Sequence, residues 1–413
     1  MTKRSTSESS RSSSKSSRSS NSGKGGGSTN PIIALIVIVI VVIAGFFGLD
    51  LSGLLGTTDA TTAPPTSVVV VPGNVTAINV GQGFGAQKGF WQVYFTAPTG
   101  SSDRSTYRGG IEENLAAAIN GVQQTLDIAA FEWNTPTLTN AVVAAAGRGV
   151  RVRMVTDDEH GIEDTDSTID ALIQAGVQVV DDGRSAFMHN KFMILDSTTV
   201  WMGSWNYTMN DTYRNNNNAL VLRSRQAVQA YQTEFNEMFV NGQFGPRSPV
   251  NNPNPSFSQD GTPIQIYFGA EDEVETAIIN TLNSAQRSIR FMAFSFTLDD
   301  VAAAVLNRAQ AGVNVTGVFE GAGSEGQASE LRPMFCAGLD VRQDGGSFIL
   351  HHKVFIVDDS TVIAGSFNFS ASARDSNDEN IVIITDPDLA AQYTAEFNRR
   401  FAEGRRPSGI ACN

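Results

Sequence analysis

The strongest constraint on the fold is a repeat inside the chain. His189-Asn190-Lys191-Phe192-Met193-Ile194-Leu195-Asp196 is followed by Gly203-Ser204-Trp205-Asn206. His351-His352-Lys353-Val354-Phe355-Ile356-Val357-Asp358 is followed by Gly365-Ser366-Phe367-Asn368. Both read H-x-K-x4-D and then G-S-x-N, at one interval. The surroundings repeat as well. Trp91-Gln92-Val93-Tyr94-Phe95 is echoed by Ile264-Gln265-Ile266-Tyr267-Phe268, Phe131 by Phe294, and Asp157 by Glu320. A unit of about 150 residues is too long for a solenoid repeat. Two such units are expected to pack about a pseudo-two-fold axis, like a C2 dimer with its protomers fused.

Within each unit, apolar residues alternate in short runs and recur at helical spacing in longer ones. In the first unit the predicted strands are 91–95, 126–131, 150–155, 177–180, 191–195 and 200–203. The helices are 111–125, 138–147, 167–175 and 224–239. In the second the strands are 264–268, 289–294, 314–319 and 339–343 with the motif strand, and the helices are 274–285, 298–311 and 389–401. Strands alternating with helices imply an α/β fold, a sheet with helices on its faces. The units are placed at residues 86–245 and 263–405, joined by a Pro/Asn linker at 246–262 and followed by a tail at 406–413.

The N-terminal part is different. Residues 1–30 are Ser, Gly, Lys and Arg, with six basic residues against Glu8 alone, and are expected to be disordered. Residues 31–49 carry the uncharged run IIALIVIVIVVIAGFFG, long enough at helical rise to span a hydrocarbon layer. It is read as an uncleaved single-pass transmembrane helix. A cleaved signal peptide is the alternative, opposed by the length of the run and the lack of a small-residue cleavage pattern after Ala44. The basic flank places the N-terminus in the cytoplasm and the body outside. Residues 50–85, rich in Thr, Gly and Pro, read as a stalk with a short strand at 67–71. The chain is 413 residues long with a net charge of -13. Because the tail is basic, the body is more acidic still, a poor general binder of polyanions. Cys336 and Cys412 lack metal-ligand spacing. They are either one disulfide, if the body is extracytoplasmic, or two thiols.

In H-x-K on a strand both side chains point to one face. Duplicated across a two-fold axis, the motif brings two imidazoles and two ammoniums together. Such a set suits phosphodiester cleavage. One His attacks phosphorus, the other protonates the leaving oxygen and then activates water, and the lysines hold the non-bridging oxygens. Beyond residue 30 the only lysines are Lys88, Lys191 and Lys353, so two of three sit in the motifs. The chain has four histidines: His160, His189, His351 and His352. Ser204, Asn206, Ser366 and Asn368 can add hydrogen bonds to the same phosphate. Asp196 and Asp358, at strand ends, are expected to hold turns or pair with Arg. Glu379 is expected to orient the ring of His351, and Asn217 is its equivalent in the first unit. His352 faces the other side of its strand, packed or solvated. His160, in a loop after Asp157-Asp158-Glu159, is expected to be solvated, with contact to substrate as the alternative. No cluster resembles a metal site, so metal-independent chemistry without a cofactor is expected.

These residues resemble the phospholipase D superfamily, whose members carry two HxKxxxxD motifs with trailing GSxN. The resemblance covers roughly residues 86–405. It implies a mixed β-sheet flanked by helices in each half, one site shared between the halves, and a covalent phosphohistidine. It places His189, Lys191, Asn206, His351, Lys353 and Asn368 around that site, with Ser204 and Ser366 beside them. The first His is usually the nucleophile in two-motif members. Asn217, where an acidic residue is often seen, leaves the choice between His189 and His351 open. The expected substrate is a phospholipid, split into phosphatidic acid and a headgroup by a membrane-anchored monomer. The alternatives are an extracellular nuclease, with Arg148, Arg151, Arg153, Arg184 and Arg214 lining a basic cleft, and an inactive tethered binding module.

Overall fold

A computed structural model describes residues 74–412. The segments read as the disordered tail, the membrane anchor and most of the stalk lie outside these residues. Among the described residues, no helix is long and apolar enough to cross a membrane.

Two mixed sheets form the framework. In chain order the first has β1 (Thr76–Ile78), β2 (Gly83–Lys88), β3 (Trp91–Thr96), β4 (Thr125–Ala130), β5 (Arg151–Thr156), β6 (Gln178–Asp181), β7 (Lys191–Leu195), β8 (Thr199–Gly203) and β9 (Asn218–Leu222). Its spatial order is β1-β2-β3-β9-β8-β7-β4-β5-β6. The second has β10 (Ser256–Gln259), β11 (Thr262–Phe268), β12 (Ser288–Ala293), β13 (Asn314–Phe319), β14 (Asp340–Gln343), β15 (Lys353–Val357), β16 (Thr361–Gly365) and β17 (Asn380–Thr385). Its order, β10-β11-β17-β16-β15-β12-β13-β14, is that of the first sheet less one edge strand. β4 and β5 pair in parallel, β7 runs antiparallel to β4, and β12, β13 and β15 repeat the pattern.

Central strands are apolar on both faces because each face is covered. Phe192 and Ile194 of β7 enter one core with Val354 and Ile356 of β15 and with the helices Arg225–Asn241 and Pro387–Glu403. Met193 and Leu195 point the other way, into a core closed by Ile111–Gly121 and Pro136–Gly147. The first core draws on both sheets, so the halves share apolar packing. Polar ties cross as well. Lys88 Nζ lies 3.2 Å from Asp386 and 2.8 Å from Asp388, and the Trp91 indole N–H donates to Asp386 at 3.2 Å.

Three expectations need correction. β1 and the first half of β2 occupy a stretch read as the end of the stalk. Gly81, Gly83 and Gly85 hid this strand; a Cβ on Gly85 would come within 3.2 Å of Tyr94, so close packing requires the glycine. β10 lies in the stretch read as linker, where it forms an edge strand on β11. β9 and β17 went unread because a polar run precedes each. The two cysteines are paired, joining the C-terminal tail to the helix Leu331–Cys336.

Candidate active site

The site starts from two short backbone pairings between the halves. Met188 forms a parallel bridge with Asp378, and Asn216 forms one with Leu350. Asp378 N donates to Phe187 O at 2.9 Å, and Asn216 N donates to Ile349 O at 2.8 Å. Each motif histidine therefore follows a segment that is stitched to the opposite half. This pairing decides which residue orients which ring.

His189 Nδ1 lies 2.8 Å from Glu379 Oε2, and His351 Nδ1 lies 2.9 Å from Asn217 Oδ1. The expectation that Glu379 holds His351 is thus corrected: the orienting groups are exchanged between halves. Sequence distance could not reveal this, because the choice is made by the inter-half bridges. Behind each orienter stands the serine of G-S-x-N from its own half. Ser366 Oγ donates to Glu379 at 2.6 Å, and Ser204 Oγ donates to Asn217 Oδ1 at 2.9 Å. Asp211 is a further carboxylate, 3.6 Å from His351 Nδ1.

Both lysines are buried and similarly placed. Lys191 Nζ donates to His189 O at 2.7 Å and sits 4.6 Å above the Phe131 ring. Lys353 Nζ donates to His351 O at 2.8 Å and sits 4.8 Å above Phe294. The same phenylalanines meet the histidine rings edge-on at 4.8 and 4.9 Å. Asp157 and Glu320 accept from Met188 N and Leu350 N, fixing the backbone just before each histidine.

Burial sets the electrostatics. It pushes His189 well below the ordinary imidazole range, and Lys191, Lys353 and His351 add to the shift. His351 is lowered in the same way by burial, Lys353 and Lys191. Burial takes Lys191 down to about 8 against the pull of Glu379, and takes Glu379 up to about 8 against Lys191. Burial and Lys191 lower Lys353. That each half's charges act on the other half's groups places both H-x-K pairs in one electrostatic environment.

Asn206 Nδ2 donates to Glu132 at 3.1 Å, and Asn206 Oδ1 and Asn368 Oδ1 are buried without a hydrogen-bond partner among the described residues. A narrow cleft of about 10 Å³ beside His351 is lined by Glu132, Asn210, Asp211, Asn215 and Phe294. Asp196 and Asp358 lie far from the rings. Asp196 accepts from the backbone N–H of Gln123, Gln124 and Thr125, and Asp358 from those of Gln286, Arg287 and Ser288. His352 is buried between Asn218 and Glu396. His160 is not a solvated loop residue; it packs on Phe131 at 4.6 Å and Phe187 at 5.0 Å, next to His189. Phe131, Phe294, Asp211 and Glu132 were not picked out as site residues. The equivalence of Phe131 with Phe294 was the available signal.

A family model described as cardiolipin synthase, PLD-like domain, matches residues 115–239 and again 278–401. The chain belongs to the phospholipase D superfamily and carries two phospholipase D-like domains. The mitochondrial cardiolipin hydrolase of Xenopus tropicalis is 39% identical over 117 residues, 28% of this chain and 55% of that protein. Phospholipase D of Rickettsia conorii is 34% identical over 125 residues, 30% of this chain and 62% of that protein. The chain thus spans little more than half the length of these relatives. The crystal structure of phosphatidylserine synthase from Haemophilus influenzae superposes with a TM-score of 0.58 over 72% of this chain and 86% of that one. At 14% identity this likeness concerns the fold alone.

Proposed function

We propose that the chain is a phosphodiesterase of the phospholipase D type, acting on phospholipids at one site built by both halves about a pseudo-two-fold axis. The observation that carries the reading is the exchange of orienting groups: Glu379 on His189 and Asn217 on His351. Two histidines that served separate pockets would gain nothing from partners in the opposite half.

The exchange also supports an assignment of roles. Ionised Glu379 accepts from His189 Nδ1–H, which leaves the Nε2 lone pair free to attack phosphorus. The carboxylate stabilises the positive charge that grows on this ring. The bound phosphodiester anion favours the imidazolium form of His351, which holds Nδ1–H on Asn217 and carries a second proton on Nε2; the P–O bond to the headgroup breaks as that Nε2 proton passes to the leaving oxygen. A neutral amide supports a proton donor better than a full carboxylate would. Neutral His351 then takes a proton from water, whose oxygen attacks phosphorus and breaks the N–P bond. Lys191, Lys353 and the amides of Asn206 and Asn368 hold the non-bridging oxygens. Two buried ammoniums repel each other, so a phosphodiester anion between them relieves a cost that burial has imposed.

Three observations favour a lipid over a nucleic acid. The similar proteins include cardiolipin hydrolases and a phospholipase D. The cleft beside His351 is walled by Glu132 and Asp211, an unfavourable place for the next phosphate of a polyanion. Four of the five arginines proposed for a basic cleft are engaged elsewhere: Arg151 and Arg153 on Asp127, Arg184 on Asp182 and Asp378, and Arg148 on the carbonyls of Ile119 and Val122. The fifth, Arg214, stacks on Phe348 and donates to Asn210 beside the cleft. The body would lie outside the cytoplasm, tethered by residues 31–49, in keeping with the Cys336–Cys412 disulfide. The test is the full chain in detergent with EDTA, given vesicles of cardiolipin, phosphatidylcholine or phosphatidylethanolamine and, in parallel, single-stranded DNA. Headgroup release from a lipid, lost in His189→Ala, is expected. Cleavage of DNA with no lipid turned over would replace the lipid reading with the nuclease one.

A further inference from the structure

We infer that Glu234, Glu237 and Glu271 form a binding site for one oxygen-preferring divalent cation, calcium foremost, behind the strand that carries the His189 motif. Carboxylate oxygens of the three lie within 4.8 Å of one another. Glu234 and Glu237 are 3% exposed, from the helix Arg225–Asn241, and Glu271 comes from the loop after β11. Glu234 Oε1 accepts from Asn190 Nδ2 at 3.1 Å, but its Oε2 is buried with no hydrogen-bond partner among the described residues. Oxygens of Glu237 and Glu271 are buried as well, facing each other and Asn251. Asp272 and Asp378 add negative charge nearby. Among the described residues, no Lys or Arg forms an ion pair with any of the three glutamates. Arg184, the partner of the neighbouring Asp378, is committed to Asp182 and Asp378.

The internal duplication supplies the comparison. Glu396 occupies the place of Glu234 in the other half: Glu234 meets Asn190, Glu396 meets His352, and each contact spans 44 residues. There the charge is neutralised by Arg399 Nη2 at 2.7 Å and Arg400 Nε at 3.1 Å. In the first half Glu237 stands where Arg399 would be and Met238 where Arg400 would be. One half therefore carries its own counter-cations, and the other has replaced them with a further carboxylate. An unneutralised cluster of buried carboxylates is strongly unfavourable. A hard cation with flexible coordination removes the cost, and three carboxylates, with Asn251 beside Glu237, offer enough oxygens for calcium. The other acidic cluster, Asp157, Asp158 and Asp182, differs, because backbone N–H groups and Arg184 already serve it.

The site lies across the strand from the imidazole, so it concerns stability and not the reaction itself. The test is thermal unfolding and titration calorimetry of the full chain in detergent, stripped with EDTA and then given calcium or magnesium chloride. Calcium should raise Tm by several degrees and bind once per chain, more tightly than magnesium. Glu237→Arg, which copies the arrangement of the second half, should raise the metal-free Tm and abolish the calcium response. Glu237→Gln, close in volume, should weaken calcium binding at least tenfold. No shift and no bound cation in the wild-type chain would overturn the proposal, as would calcium binding unchanged in both variants.

Discussion

His189 depends on a carboxylate that is itself shifted. Burial raises Glu379 to about 8 and lowers Lys191 to about 8. Raising the pH through that range ionises Glu379, which the nucleophile needs, and also discharges Lys191, which the phosphate needs. These opposed requirements predict a bell-shaped kcat/KM profile with its maximum near pH 8, whose limbs belong to the coupled set and not to single residues. Glu379→Gln keeps the shape but not the charge. It should lower kcat about 100-fold or more, leave KM nearly unchanged and remove the acid limb. A variant profile that keeps its acid limb would mean that another group titrates there. Much of this site was readable from the chain. The motif strands begin at Lys191 and Lys353, so each His lies just ahead of its strand; the i, i+2 spacing still set His and Lys beside one phenylalanine, and the doubling set their number. The partner of each ring was not readable, because Glu379 reaches His189 only through the bridge between Met188 and Asp378.

At the scale of elements, the motif aspartates shape the hairpins that carry the site. Asp196 and Ser197 both have positive φ, as do Asp358 and Asp359. Thr198 N donates to Leu195 O at 3.0 Å, and Ser360 N donates to Val357 O at 3.0 Å, closing matched turns. Asp tolerates this conformation better than most residues, and its carboxylate also gathers three backbone N–H groups. Burial alone would raise Asp196, but these N–H groups hold it below the usual carboxylate range, and with Arg287 they do the same for Asp358. Because the folded pKa is depressed, this stabilisation is present above the unfolded value and is lost as pH falls through the folded one. Asp196→Ala or Asp358→Ala should cost about 1–2 kcal/mol each at neutral pH, read from chemical denaturation. The difference from wild type should shrink on acidification below about pH 4. Long, periodic elements such as Pro136–Gly147 were legible to within two residues. Short ones such as β1 and β2 were not, because glycine there records packing against neighbours and carries no hydrophobic period.

At the scale of the molecule, the two halves are joined by a shared core, reciprocal backbone bridges and crossed hydrogen bonds. Tyr231 Oη donates to Asn380 at 3.1 Å, and Tyr393 Oη donates to Asn218 at 3.2 Å. The disulfide lies in the second half only, closing a separation of 76 residues. Its reduction should lower stability by about 2–4 kcal/mol and Tm with it, while turnover at a temperature well below unfolding stays near that of the oxidised protein. A loss of turnover before any unfolding would instead tie the bridge to the site. The central claim is that both histidines serve one phosphorus atom. Acid-sensitive, base-stable phosphohistidine, located by mass spectrometry after mixing His351→Ala with a phospholipid substrate, tests it most directly. The account predicts one adduct per chain, on His189, forming slowly without the acid and accumulating because the opposite ring no longer activates water for its hydrolysis. Adducts at both motifs of the wild-type chain, or a His351→Ala protein that turns over at the wild-type rate, would contradict it.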